Sequence, residues 1–75
     1  MKQVHRFTGV IERDGDGYVS LCPELDLASQ GETIEEARQN LIEALELFFE
    51  TADPSETQQR LRTEVYVTPI EVSVG

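Results

Sequence analysis

The stretch Gly17-Tyr18-Val19-Ser20-Leu21-Cys22-Pro23-Glu24-Leu25-Asp26-Leu27-Ala28-Ser29-Gln30-Gly31-Glu32-Thr33-Ile34-Glu35-Glu36-Ala37 decides the fold, because it holds a strand, a broken loop, a second strand and a capped helix start in sequence. Tyr18 to Cys22 alternates in the manner of a half-buried strand. Pro23 has no backbone N–H and restrains Cys22 to extended geometry, so ladder pairing ends there. Residues 23–26 are expected to form an exposed loop, and residues 27–30 a short strand. Thr33 followed three positions later by Glu36 is a capping box, in which each side chain satisfies a free amide at a helix start.

Downstream, Ile34, Ala37, Leu41, Ile42, Ala44, Leu45, Phe48 and Phe49 recur at helical spacing. They predict a helix over 34–50 with one broad apolar stripe that lies on a sheet. Glu35, Glu43, Glu46 and Glu50 fall on its other side and read as a solvated face. Asp53-Pro54-Ser55-Glu56 repeats the capping logic with proline at the first helical position, so a short second helix to about Leu61 follows.

Upstream, residues 3–13 form a first strand that ends in Asp14-Gly15-Asp16-Gly17, where the Asp-Gly dipeptides supply the positive φ of a tight hairpin turn. At the other end the period becomes 2 again. Val65 and Val67 alternate in one phase, and Ile70, Val72 and Val74 in the other, with the switch at Thr68-Pro69. A bulge there, an edge position, or a strand that leaves for another molecule would accommodate it. Both faces of the sheet read as apolar: Phe7 and Ile11 oppose Val4 and Val10, and Val19 and Leu21 oppose Tyr18 and Cys22. One helix covers one face, so a homodimer or homotetramer is expected.

Charge bounds the partners. The 75 residues carry 15 acidic and 6 basic side chains, a formal net charge of −9, and Lys2 is the only lysine. Nucleic acid and anionic membrane are disfavoured as direct partners, since both need positive charge to displace counterions, whereas a basic protein is attracted. A chain of this size buries only about 60% of its unfolded surface, which leaves one domain, 1–75, with a thin core. No apolar run reaches the roughly 20 residues of a membrane span, no apolar signal core follows Met1, and a cytoplasmic protein is expected.

Candidate chemistry is sparse. The turn acids share the opening of a calcium loop, but Tyr18 occupies the third ligand place and the glycine spacing is absent. Cys22 and His5 lack an orienting third group, and a thiol inside an apolar strand reads as structural. Zinc needs about four ligands, against a single Cys and a single His here. Neither metal nor cofactor is expected. Glu12, Asp14, Asp16, Glu24 and Asp26 gather near the hairpin and the loop, which raises the remote alternative of metal-dependent phosphodiester hydrolysis. The chain's own charge opposes such a substrate.

The quoted stretch resembles the signature of the HicB antitoxin family. The matching residues are the Tyr18 strand, the Cys22-Pro23-Glu24-Leu25 loop, the Gly31-Glu32-Thr33 turn and the Glu35-Glu36-Ala37 helix start. The resemblance implies an α+β fold: a small antiparallel sheet of three to four strands with one main helix on one face, in the order β-β-β-α-β, partly like ribonuclease H. It also implies a non-enzymatic antitoxin that masks the catalytic face of a small basic, mRNA-cleaving toxin of HicA type. Exposure and charge nominate Tyr18, Glu24, Leu25 and Asp26 as toxin contacts, with Asp14 and Asp16 assisting. Many members add a C-terminal DNA-binding segment, whereas this sequence ends in a β-rich tail without basic residues, so operator binding is not expected of it. The alternative is a stand-alone oligomeric interaction module without a toxin.

Overall fold

In a computed structural model of the chain, residues 6–61 and 64–75 are described. The hairpin forms where the Asp-Gly dipeptides place it. Strand β1 (Val10–Asp14) pairs antiparallel with β2 (Gly17–Cys22) across a turn in which Gly15 holds φ at 62°, a conformation glycine adopts without steric cost. Strand β3 (Leu27–Gly31) pairs antiparallel with the other edge of β2, so the sheet order is β1-β2-β3 and, among the described residues, both outer strands have a free edge. The first strand is shorter than its sequence pattern: residues 6–9 lie outside it, and 3–5 lie outside the described residues. Helix α1 (Ile34–Thr51) begins at the expected cap, the Thr33 side chain accepting from the Glu36 amide at 3.0 Å. Helix α2 (Pro54–Arg60) begins likewise, with Asp53 accepting from the Glu56 amide at 2.9 Å.

Helix and sheet are joined by side-chain chemistry as well as by burial. Ser20, almost wholly buried, donates its hydroxyl to the Ala37 carbonyl at 2.8 Å, which fixes the even-numbered residues of β2 on the helix side. The pairing then puts Ile11 with Ser20 and Cys22 under α1, and leaves Val10, Val19, Leu21 and Ala28 on the other face. α1 packs mainly over β3 and β2. Gly31 permits that approach, since a Cβ there would stand 2.5 Å from the Ala37 nitrogen and 2.8 Å from the Glu36 carbonyl carbon. The core is thin, built from Cys22, Leu25, Leu41 and Phe48, with Phe7, Leu27, Leu45, Ala52 and Leu61 against it. Two members of the expected stripe lie at its margin: Ile34 is exposed, and Phe49 is partly exposed but stacks on Phe7 with ring centroids 5.6 Å apart.

The last expected strand does not pair. Residues 64–75 form neither helix nor strand and have no strand partner among the described residues, whose elements read β-β-β-α-α followed by this tail. The pattern that marked a strand is intact, but the tail pairs with neither outer strand of the sheet, and among the described residues β1 and β3 stay uncapped.

Candidate functional site

The residues nominated as one contact surface are divided between opposite ends of β2. Asp14, Asp16 and Tyr18 stand at the hairpin end, whereas Glu24, Leu25 and Asp26 follow the far end of the strand. The six residues of β2 lie between the turn acids Asp14 and Asp16 and the loop acids Glu24 and Asp26, roughly 20 Å at about 3.4 Å per residue. The carboxylates therefore do not converge, and among the described residues no cluster of three or more His, Cys, Asp or Glu is placed to hold a metal ion. His5, the imagined base for Cys22, lies outside the described residues.

The loop at 23–26 turns inward, contrary to the expected exposure. Leu25 is completely buried and is part of the core. Glu24 is half-buried, and its carboxylate accepts the Thr8 amide at 3.0 and 2.9 Å and the Thr8 hydroxyl at 2.7 Å. Cys22 donates its thiol to the same carboxylate at 3.5 Å. Burial by itself would raise the Glu24 pKa. The Thr8 hydroxyl and the local amides outweigh it and hold the carboxyl below its ordinary value. Burial, supported by the adjacent Glu24 carboxylate, pushes the Cys22 thiol above its ordinary value, against the opposing pull of the Leu25 amide. A buried, protonated thiol is a structural group and a poor nucleophile.

Asp26 alone of the loop residues is exposed, and it holds a left-handed backbone with φ at 54°. Aspartate tolerates that region better than most residues. Arg60 of α2 secures it, donating to the Leu25 carbonyl at 3.0 Å and the Asp26 carbonyl at 3.3 Å while its guanidinium lies 5.2 Å from the Phe48 ring centre. Nothing in the sequence pattern marked Arg60, because its partners are backbone carbonyls 34 and 35 positions away.

The hairpin end is the open, acidic one. Two shallow grooves meet at Tyr18: Asp14, Glu32, Glu36 and Asn40 border the first, and Asp16, Glu32, Ile34 and Glu35 the second. Among the described residues Arg13 is the single cation lining them. It donates to the Tyr18 hydroxyl at 3.2 Å and lies 5.4 Å from its ring centre, so part of the ring is covered. Glu32, Glu35 and Glu36 join the turn acids because β3 runs back beside β2 and delivers the start of α1 next to the hairpin. Sequence reasoning missed that convergence; the antiparallel return of β3 was its signal. The arrangement offers an aromatic side chain framed by five carboxylates and suits a cationic surface. No described helix is long and apolar enough to cross a membrane.

No family model matches the chain, and no solved structure matches it significantly. Curated relatives do. A UPF0150 protein of Synechocystis sp. is 39% identical over 75 residues, covering 97% of this chain and 94% of its own length. One from Helicobacter pylori is 35% identical over 65 residues, covering 85% and 90%. A second from Synechocystis is 44% identical over 55 residues, covering 71% and 80%. The chain belongs to the UPF0150 family.

Proposed function

We propose that this UPF0150 chain is a binding protein of the HicB antitoxin kind, which docks a small basic RNA-cleaving toxin on its acidic hairpin end and masks the toxin's catalytic face. The observation that carries the reading is the rim of Asp14, Asp16, Glu32, Glu35 and Glu36 around Tyr18. A surface that binds RNA phosphates is cationic, and carboxylates held on the rigid end of a sheet and helix can occupy the place of those phosphates. Tyr18 supplies an amphipathic anchor at the centre, the type of residue that carries binding energy in protein interfaces. Glu24 and Leu25 leave the contact set in this reading, because one is tied to Thr8 and the other is in the core.

The test is a tagged pull-down from the native host at low salt, with bound proteins identified, released by salt and assayed for RNA cleavage. Recovery of a small basic ribonuclease that the wild-type chain inhibits, and that the double variant Asp14→Lys/Asp16→Lys fails to hold, supports the reading. Unchanged capture by the variant refutes the assignment of this surface. The second reading, an oligomeric interaction module without a toxin, is favoured by one observation, the exposed apolar tail at 64–75. Recovery of the chain with only itself favours that alternative.

A further inference from the structure

The tail carries more information than its lack of a partner. Tyr66, Thr68, Ile70, Val72 and Val74 share one phase of an extended chain, while Glu71 and Ser73 in the second half take the other. Tyr66, Ile70, Val72 and Val74 are between 72% and 92% exposed. From Ile70 onward this is the pattern of a strand with one buried face, presented to water, whereas at 65–67 both phases are apolar. Twelve residues at about 3.3 Å each reach roughly 40 Å, and the chain as a whole measures 52 × 28 × 20 Å. Its radius of gyration is 14.6 Å, whereas a compact domain of this length has about 11 Å.

The exposed area gives the same answer by an independent route. The chain exposes 6524 Å², while a folded monomer of its 8.5 kDa exposes about 4,700 Å². The excess, about 1,800 Å² per chain, reaches roughly 3,600 Å² for two copies, which is the range of obligate homodimers. A docking edge is also present on every copy. Among the described residues β1 and β3 both have a free edge, but the Gln30 carbonyl of β3 already accepts the Asn40 side chain at 2.7 Å, so β1 is the less encumbered of the two.

We propose that the 64–75 tail of one copy pairs as a fourth strand with the outer edge of β1 in a second copy, and that the exchange is reciprocal. Strand addition satisfies the backbone of both the tail and β1, and it widens the sheet by one strand at that edge. Reciprocity closes the assembly at two, because each copy gives one tail and accepts one. Pro69, which lacks a ladder donor, sits in a strand that becomes the new edge, where proline is tolerated.

Sedimentation equilibrium of the full chain, with amide hydrogen exchange on the same sample, tests this. The expected result is a species of twice 8.5 kDa at micromolar concentration, with amides of 66–74 and the outer edge of β1 protected at least 100-fold over free peptide. The variant Ile70→Asp/Val72→Asp is expected to sediment as the monomer with its helical circular dichroism unchanged, since neither side chain belongs to the core. A wild-type monomer, or a dimer whose tail amides exchange at the free rate, overturns the proposal. Tail protection that arises only when a different, basic protein is added overturns it too, and assigns the strand to that partner.

Discussion

Replacing Glu24 separates a structural latch from a binding contact. Its carboxylate takes three hydrogen bonds from Thr8, two from the amide and one from the hydroxyl, and ties the segment before β1 to the loop after β2. A bond to an ionised acceptor is worth about 1.5–3 kcal/mol, and bonds that share one carboxylate at a partly exposed site do not add. Glu24→Ala should therefore cost about 2–3 kcal/mol, which lowers Tm by roughly 10–20 °C in a domain this small. Glu24→Gln keeps the shape and one acceptor oxygen and should cost about 1 kcal/mol. The pH dependence follows from the lowered pKa. The folded chain binds fewer protons at this site than the unfolded chain, whose carboxyl titrates near about 4.3. The stabilisation is thus complete above that value and is lost as pH falls through the lower folded value. Thermal unfolding by circular dichroism from pH 7 to pH 3 should show a shallower acid limb in Glu24→Gln than in the wild type. An unchanged Tm at pH 7 together with an unchanged acid limb would refute the latch.

Three further outcomes are expected. Gly31→Ala places a Cβ against the backbone of Glu36 and Ala37, so α1 must lift from β3 at a cost of about 1–3 kcal/mol, measurable by urea denaturation. Arg60→Ala, and equally Arg60→Lys, should raise amide exchange in the 23–26 loop, because an ammonium cannot both reach two carbonyls and stack on Phe48 as the planar guanidinium does. The Cys22 thiol should resist alkylation at pH 8 until denaturant is added, since it is buried and its pKa is raised.

The elements legible in the sequence are those whose signal is local. Thr33 with Glu36, Asp53 with Pro54, and Asp14-Gly15 each bond or turn within four residues, and each stands where its spacing put it. The functional surface was only half legible, because burial of a loop depends on what crosses it. Glu24 and Leu25 looked exposed after Pro23, yet Thr8 and Arg60, 16 and 35 positions away from their partners, draw that loop inward. In the sequence Glu32 belongs to a turn, Glu35 to a solvated face and Glu36 to a helix cap, and the return of β3 makes all three neighbours of Tyr18. The tail is the converse case: its local pattern is strong, but no strand among the described residues pairs with it.

The two proposed associations respond to salt in opposite directions, which makes them separable in one titration. Docking of a cationic protein on the rim of Asp14, Asp16, Glu32, Glu35 and Glu36 gains from attraction that screening removes, and the Debye length shrinks from about 30 Å at 0.01 M to about 8 Å at 0.15 M. Strand exchange brings together two chains of net charge −9, so their mutual repulsion is what salt screens, while the ladder and apolar contacts are left in place. Raising ionic strength over that range should weaken partner capture severalfold and tighten self-association. Sedimentation and pull-down across one salt series measure both. If the two affinities fall together, the tail is not joined through apolar and backbone contacts, and an attraction between opposite charges holds the copies together instead.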